Sequence, residues 1–342
     1  MTVRYEALPE NRLQAGGASG PAPAMELGPA RAITYLRISV TDLCNLRCQY
    51  CMPEDTQFLD REELLAFEEI AQVAGTLVRH GVRKIRLTGG EPLLRRDLPA
   101  LVAKLKALPG LPEVVMTTNG MLLQRHARAL REAGLDRLNV SLDTLRPERF
   151  RRIARRPGLD DVLAGLDAVR AAGFEGTKLN TVVMGGVNDD ELEDLLAFAA
   201  RHGFEQRFIE FMPLQSNDFG IHATRVPLPE LRLRLSAISP LDPRPRGSGP
   251  ADTFVLRSTG QRLGLISAIS LPFCETCNRV RLTSDGVLRS CLFEGGEVSI
   301  RDLVRSGQNV DAGLEQALDW LRRVKPIVHE GFGYVAMNRV GG

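Results

Sequence analysis

Extended apolar segments alternate regularly with amphipathic helical segments between residues 35 and 211. Strands are predicted at 36–40, 82–88, 114–117, 137–142, 178–183 and 207–211. Helices are predicted in the intervals, at 61–79, 97–107, 122–133, 160–172 and 189–202. Repeated strand–helix units predict parallel strands that are joined by right-handed crossovers. Six such units are fewer than the eight that close a complete barrel, so the pattern predicts an α/β fold without completing a barrel.

Residues that favour helix ends support these boundaries. Glycine readily adopts the left-handed conformation that ends a helix, and it follows four of the predicted helices closely, at Gly81, Gly134, Gly173 and Gly203. Asp60 and Asn188 precede two of the helical segments and are predicted N-caps. Sites in parallel barrels form at the carboxyl ends of the strands, and short polar or cysteine-containing motifs follow most of the predicted strands here.

The pattern changes after residue 212. Residues 213–252 contain seven prolines and predict an irregular connection. Short strands are predicted near 253–257, 262–267, 279–283 and 287–290, with a hairpin turn at 283–286 and a helix near 311–323. We therefore expect a flexible Gly-, Ala- and Pro-rich tail (1–30), a partial barrel (31–212) and a C-terminal α+β subdomain (213–342).

Composition limits the classes of protein that this chain can represent. Hydrophobic residues make up 44% and charged residues 25% of the sequence, as in ordinary globular proteins. The sequence has neither an apolar stretch long enough for a transmembrane helix nor the pattern of a signal peptide. A net charge of +2 disfavours a broad nucleic-acid-binding surface. We expect a cytoplasmic protein that binds neither membranes nor nucleic acid.

All six cysteines fall into two triads. The triads are Cys44, Cys48 and Cys51, spaced C-x3-C-x2-C, and Cys274, Cys277 and Cys291, spaced C-x2-C-x13-C. Disulfides are disfavoured because the chain is large enough to build its own core and nothing marks it for export. Each triad has one thiolate fewer than the four ligands of a closed zinc or iron–sulfur site. Either a distant ligand completes a structural site, or one metal ion is open to a substrate.

The first triad resembles the signature of the radical S-adenosylmethionine (SAM) enzymes, in which an aromatic residue, here Tyr50, precedes the third cysteine. Three further features make the resemblance more specific. They are Gly89-Gly-Glu-Pro92, the second triad with its segment Cys277-Asn-Arg-Val-Arg281, and the terminal pair Gly341-Gly342. Together they resemble the GTP 3',8-cyclase family of molybdenum cofactor biosynthesis, over residues 35–342.

This resemblance implies a partial (β/α)6 TIM-like barrel of the radical SAM type, with an open side that the C-terminal subdomain closes. It implies two [4Fe–4S] clusters, one on each triad. SAM is expected at the open iron of the first cluster, and the guanine of GTP at the second. In the implied reaction the ribose of GTP loses its 3' hydrogen, and the resulting carbon radical attacks C8 of guanine.

The resemblance also implies roles for individual residues. SAM is expected to contact Tyr50, Gly90, Ser141 and Met212. GTP is expected to contact Arg37, Arg86, Thr117, Lys178, Arg279, Val280 and Arg281. Arg279, Arg281, Gly341 and Gly342 are expected to assist the reaction. Without the resemblance, Ser141 would be interpreted as a strand-end cap, Met212 as a core residue, and each arginine as part of an ion pair.

The implied partners are GTP, a flavodoxin- or ferredoxin-like electron donor and a downstream cyclic pyranopterin monophosphate synthase. The oligomeric state stays open, with a homodimer as one option. Two alternatives also remain open. Another radical SAM enzyme with an auxiliary cluster, of the peptide-maturation type, would share the first triad. A zinc-stabilised binding module would use the cysteines without iron.

Overall fold

The computed structural model describes residues 5–6, 31–111, 113–212, 223–247, 249–293, 295–327 and 337–341. Apart from residues 5–6, the predicted tail lies outside the described residues, as does Gly342. In the part that is described, a single mixed sheet forms the centre of the molecule and the helices pack against it. No helix in these ranges is long and apolar enough to cross a membrane.

Strands and helices alternate along the chain between residues 35 and 210. The strands are β1 (Tyr5–Glu6), β2 (Tyr35–Ser39), β3 (Lys84–Thr88), β4 (Glu113–Thr118), β5 (Arg137–Ser141), β6 (Lys178–Gly185), β7 (Glu205–Glu210), β8 (Thr224–Arg225), β9 (Leu241–Arg244), β10 (Asp252–Leu256), β11 (Arg262–Ile266), β12 (Arg279–Leu282), β13 (Val287–Arg289) and β14 (Glu297–Ser299). The α-helices are α1 (Phe67–Arg79), α2 (Leu98–Lys106), α3 (Leu123–Glu132), α4 (Pro147–Ala154), α5 (Leu159–Ala171), α6 (Leu192–His202), α7 (Leu228–Ile238), α8 (Arg301–Ser306), α9 (Val310–Arg323) and α10 (Met337–Val340).

Six parallel strands form the middle of the sheet, in the order β2-β3-β4-β5-β6-β7. Side chains alternate between the two faces of a strand. Leu36 and Ile38 of β2 are therefore buried in the core, whereas Arg37 between them lines a cavity inside the barrel. Helix α1 covers the same core with Val73 and Leu77, and burial of each side chain contributes about 1.5–3 kcal/mol. The predicted partial (β/α)6 barrel is confirmed.

Strands from the C-terminal region extend both edges of this barrel sheet. β11 pairs in parallel with β7, and β12 pairs in parallel with β2. The sheet continues outward as β10-β9 on one side and β13-β14-β1 on the other, so it stays open. Because β11 and β12 lie at opposite edges, the segment 267–278 that joins them crosses the open side of the barrel. This segment carries Cys274 and Cys277.

The prolines of the C-terminal region led to one wrong prediction. Helix α7 and strand β9 form within 213–252, where an irregular connection was expected. Pro229 is tolerated because it lies in the first turn of α7, where its missing N–H would have no helical partner. The predicted hairpin turn at 283–286 is confirmed, since β12 and β13 pair antiparallel around it and Gly286 has a φ of 88°.

The two predicted N-caps have different outcomes. Asp60 caps a short 3-10 helix (Arg61–Glu63), with its backbone N–H donating to the Glu63 carboxylate at 3.0 Å, and α1 begins only at Phe67. Asn188 is not an N-cap, because Glu191 holds that position on α6. The Asn188 amide instead donates to two backbone carbonyls at 2.8 and 2.9 Å and stabilises the loop before α6.

Candidate active site

The first cysteine triad lies in the loop that follows β2, at the carboxyl end of the barrel strands. The backbone N–H of Cys51 donates to the carbonyl of Cys48 at 2.9 Å, which tightens the loop. Gln49 donates to the carbonyl of Ile153 at 2.9 Å, which ties the loop to the end of α4. All three cysteines line one cavity of about 280 Å³ inside the barrel.

The thiols of the first triad lie close enough to influence one another. Burial raises the pKa of Cys48 well above its usual value, and the neighbouring Cys51 and Cys44 raise it further. Burial also raises the pKa of Cys51 to about 12 and that of Cys44 to about 11. In the absence of a metal, these thiols are therefore protonated. A positively charged metal centre would convert them to thiolates.

The Gly89-Gly90 turn after β3 packs directly against the loop of the first triad. A Cβ atom on Gly90 would lie 2.3 Å from the carbonyl oxygen of Leu43, so no larger residue fits. The next residue, Glu91, is fully buried and accepts hydrogen bonds from the Thr118 hydroxyl and the Asn119 N–H, both at 2.7 Å. Its burial raises its pKa to about 7. The turn thus links the ends of two neighbouring strands.

We expect Gly90→Ala to destabilise the protein by roughly 2–4 kcal/mol, because its methyl group overlaps rigid backbone. Gly247→Ala is the matched control, since nothing lies within 4 Å of the added methyl group there. Thermal unfolding of the metal-free protein measures both effects. An equal melting temperature for the two variants would contradict the expectation.

All four residues that were predicted to contact SAM line the cavity that the first triad lines: Tyr50, Gly90, Ser141 and Met212. The Tyr50 hydroxyl donates to the Asp143 carboxylate at 2.7 Å. Burial raises the pKa of Asp143 to about 6, although this hydrogen bond lowers it. Ser141 is the last residue of β5.

The second triad lines the cavity from the opposite side. Cys274 begins a short 3-10 helix (Cys274–Thr276) in the segment that crosses the open side, and Cys291 follows β13. Cys277 has an unusual environment for a partly buried thiol. Burial raises its pKa, but the positive charges of Arg279 and Lys325 outweigh burial, and the pKa is lowered to about 6. Cys277 is therefore more acidic than the three thiols of the first triad on the opposite side of the cavity.

In metal-free protein at about pH 7, iodoacetamide is expected to alkylate Cys277 much faster than Cys48. The thiolate is the reactive form, and it predominates for Cys277 but is nearly absent for Cys48. Mass spectrometry of peptides after timed alkylation measures both rates. Denatured protein is the control, because both thiols should react alike there. Equal rates in the folded protein would show that the two environments do not differ.

Within the described residues, no three side chains of His, Cys, Asp or Glu converge on a point that could hold a single metal ion. An iron–sulfur cluster does not require such convergence, because each thiolate binds a different iron. The donor set of three thiols on each side of the cavity fits clusters of this kind. None of the six cysteines forms a disulfide.

Arginines from three adjacent strands form a row across the barrel. Arg281 of β12 pairs in register with Arg37 of β2, which pairs with Arg86 of β3. The Arg281 guanidinium donates to the carbonyl of Val340 at 3.1 Å and to that of Gly341, and Arg37 donates to the Gly341 carbonyl at 3.3 Å. The C-terminal tail therefore lies inside the barrel.

One residue in the predicted GTP set cannot act through its side chain. Val280 is fully buried in the hydrophobic core, on the face of β12 opposite Arg279 and Arg281. Period-two alternation along a strand explains this orientation. Only the backbone of Val280 could face a ligand.

A second cavity, of about 380 Å³, lies at the other end of the barrel strands. Its lining is strongly cationic and includes Lys84, Arg86, Arg137, Lys178 and Arg207. Asn139 lines both this cavity and the one between the cysteine triads, so the two cavities adjoin. Arg86 and Lys178 were predicted from the sequence, whereas Lys84, Arg137 and Arg207 were not. Lys84 could have been found from its two-residue spacing to Arg86 on the same strand.

Positive charge exceeds negative charge in this cationic cavity. Glu205 accepts hydrogen bonds from both Lys178 and Arg207 at 2.7 Å, and Glu113 pairs with Lys84 at 2.9 Å. Two carboxylates therefore face seven cations among the described lining residues, which are Lys84, Arg86, Arg137, Lys178, Arg207, Arg244 and Arg262. An anionic ligand would balance the excess.

The Tyr35 side chain lies among these cations. Its hydroxyl accepts a hydrogen bond from Arg86, whose guanidinium also donates to the Thr117 hydroxyl at 2.9 Å. Burial raises the pKa of Tyr35, but Arg86, Arg37 and Lys84 outweigh burial and lower the pKa to about 7. The lowered pKa follows from the positive charge of the cations around the Tyr35 hydroxyl.

Comparison with known families agrees with this arrangement. The model of the radical SAM superfamily matches residues 38–199, and the model described as molybdenum cofactor synthesis C matches residues 204–330. The chain is therefore a radical SAM protein, a class defined by SAM and an iron–sulfur cluster. Its most informative relatives are curated GTP 3',8-cyclases, and the chain belongs to that family.

The relatives cover most of the chain. The GTP 3',8-cyclase of Acidothermus cellulolyticus is 48% identical over 306 residues, which are 86% of this chain and 84% of the relative. That of Heliobacterium modesticaldum is 43% identical over 323 residues, which are 92% and 98% of the two chains. That of Rhodopirellula baltica is 50% identical over 289 residues, which are 82% and 80%.

Solved structures support the fold alone. SuiB of Streptococcus suis, bound to S-adenosylmethionine, aligns with a TM-score of 0.59 at 13% identity. The alignment covers 77% of this chain and 61% of SuiB, so the chain spans less than two thirds of that protein. SuiB bound to the precursor peptide SuiA gives a TM-score of 0.60 at 14% identity, covering 77% of this chain and 60% of SuiB.

Proposed function

We propose that this protein converts GTP to (8S)-3',8-cyclo-7,8-dihydroguanosine 5'-triphosphate, an early step of molybdenum cofactor biosynthesis. The observation that carries this proposal is the pair of adjoining cavities. One lies between two cysteine triads, and the other is lined by cations in excess. A nucleoside triphosphate has the matching form, with an uncharged base at one end and several negative charges at the other. The family relationship supplies the reaction type.

The first triad, Cys44, Cys48 and Cys51, would hold a [4Fe–4S] cluster, and the open iron would take SAM. Tyr50, Gly90, Ser141 and Met212 line the space beside this triad and would contact SAM. When bound and reduced by one electron, this cofactor pair supplies the radical that removes the ribose 3' hydrogen. The absence of a side chain at Gly90 lets the turn pack directly against the backbone of Asp42 and Leu43, just before the first triad.

The second triad, Cys274, Cys277 and Cys291, would hold another [4Fe–4S] cluster, with guanine at its open iron. Among the described residues no further cysteine exists to close either site. Arg279 and Arg281 follow Cys277 on one strand and line the same cavity, so they are near the base and sugar. The barrel walls would hold the 3' carbon close to C8 of guanine, which is the main contribution of positioning to the rate.

The triphosphate would occupy the cationic cavity. Arg86 and Lys178, which were predicted for this role, line it together with Lys84 and Arg207. Thr117 accepts a hydrogen bond from Arg86 at 2.9 Å and keeps that guanidinium in place. Guanidinium and ammonium groups form strong charge-assisted hydrogen bonds with phosphate oxygens. Arg37 lies in register between Arg86 and Arg281, so it would lie near the sugar.

The C-terminal tail would assist the reaction from inside the barrel. Arg37 and Arg281 hold the carbonyl of Gly341, and a Cβ atom on Gly341 would lie 2.3 Å from the Thr88 side chain. Only glycine therefore fits at this position, where φ is +74°. The role proposed for Gly342 rests on the sequence resemblance, because that residue lies outside the described range.

The proposed reaction requires one partner that supplies electrons and another that consumes the product. SAM cleavage consumes one electron, and conversion of the cyclised radical to the product consumes a second electron and a proton. A flavodoxin- or ferredoxin-like carrier would supply the electrons. A cyclic pyranopterin monophosphate synthase would consume the product. Such a reaction fits the reducing cytoplasm, and a homodimer is an option for the assembly.

The test is anaerobic reconstitution with iron and sulfide, followed by incubation with GTP, SAM and a strong reductant. We expect 5'-deoxyadenosine and the cyclised nucleotide in equal amounts, identified by liquid chromatography with mass spectrometry. Absence of 5'-deoxyadenosine would refute the radical SAM activity. Formation of 5'-deoxyadenosine without any dependence on GTP would instead favour the peptide-maturation alternative.

A further inference from the structure

Lys325 is a buried cation that the proposed reaction does not use. Its side chain is only 3% exposed, and it lines the cavity between the two triads. The ammonium group donates to the backbone carbonyl of Arg279 at 2.6 Å and to that of Ser290. Arg279 lies two residues after Cys277, and Ser290 directly precedes Cys291. One side chain therefore joins the two segments that carry these cysteines.

The backbone around Lys325 is tied to the third cysteine of the same triad. Arg31 donates to the carbonyls of Lys325 and Pro326 at 2.8 and 2.6 Å, and also to the carbonyl of Cys274. Hydrogen bonds from two cations thus join all three cysteine-bearing segments to the residues that follow α9. None of these segments is close to the residues after α9 in sequence.

Lys325 forms no ion pair with a carboxylate in the described part of the chain. Two of its hydrogen bonds end on neutral carbonyls, and it lines the same cavity as Cys277 and Cys291. An isolated buried charge costs several kcal/mol unless an opposite charge compensates it. Thiolates with a bound iron–sulfur cluster would supply that compensating charge.

We propose that Lys325 is a positioning residue of the second triad, which fixes the spacing of its cysteines and balances the negative charge of the cluster bound there. This inference rests on the proposed second cluster. Hydrogen bonds and charge near a cluster are among the factors that set its reduction potential. A nearby fixed cation favours the reduced, more negative form and therefore raises the potential.

Two variants separate spacing from charge. Lys325→Gln removes the charge but keeps a hydrogen-bond donor, whereas Lys325→Met removes both. Lys104→Met is the control, because Lys104 is a half-exposed residue of α2 that pairs with Glu68. Iron and sulfide content after anaerobic reconstitution and an anaerobic redox titration followed by electron paramagnetic resonance are the measurements. The cluster whose signal changes on GTP addition is taken as the second one.

We expect Lys325→Met to bind about half the iron of the wild-type protein, because one of two four-iron clusters is lost. We expect Lys325→Gln to keep more iron and to show a lower potential for the GTP-sensitive cluster, with the other cluster unchanged. Wild-type iron content and potentials in both variants would overturn the inference. If Lys325→Met shows no folded state in a melting experiment, the reduction potential of the GTP-sensitive cluster in Lys325→Gln decides whether the inference holds. If the wild-type protein itself holds only one cluster, the proposed function fails instead.

Discussion

Replacing Cys48 by alanine is expected to reduce 5'-deoxyadenosine formation to background, whereas replacing Cys277 by alanine should leave it measurable. The two residues lie on opposite sides of one cavity, in different triads. Cys48 belongs to the site that would cleave SAM, and its loss leaves only two thiolates there. Cys277 belongs to the site that would hold guanine, so its loss should abolish formation of the cyclised nucleotide. SAM should still be cleaved to 5'-deoxyadenosine in that variant, although GTP is not cyclised.

The two cysteine variants serve as matched controls for each other. Each should bind about half the iron of the wild-type protein, since one of two four-iron clusters is lost in each case. Chromatography of both products from the same reaction measures the contrast. Thermal unfolding of the metal-free proteins shows whether either substitution harms the fold. Loss of 5'-deoxyadenosine in both variants to the same extent would contradict separate roles for the two triads.

Lys178→Met should weaken GTP binding by about 30- to 150-fold, while the affinity for guanosine stays nearly unchanged. Loss of one charged partner from a buried phosphate contact costs about 2–3 kcal/mol. Lys178 lines the cationic cavity, and its only described carboxylate partner, Glu205, is shared with Arg207. The loss should therefore depend on the phosphates of the ligand and not on its base.

Lys106→Met is the matched control for Lys178→Met. Lys106 also forms an ion pair, with Asp136 at 3.0 Å, but it lines neither of the two barrel cavities. Equilibrium binding of GTP and guanosine to the reconstituted proteins measures all affinities. Equal weakening of GTP and guanosine, or an equal effect of the control, would show that the phosphates do not bind at Lys178.

Much of the barrel could be predicted from the sequence because its signals are local. Each of the strands β2 to β7 contains apolar or β-branched residues close to one another in the sequence, and the observed bounds differ from the predicted ones by a few residues at most. Helix α9 (Val310–Arg323) was predicted within one residue of its start. Helix α7 was missed because a proline-rich composition suggested a loop, although proline at a helix start has little cost.

The six thiols, their spacing and the alternating strands are properties of neighbouring residues, so the sequence alone determined the cysteine triads and the parallel barrel. Only the tertiary structure decided that β11 and β12 join opposite edges of the sheet and bring the second triad across from the first. It also assembled the cationic cavity and placed Lys325 between Arg279 and Ser290. These contacts join distant parts of the chain, and their free energy depends on burial and charge that no local pattern of residues reports.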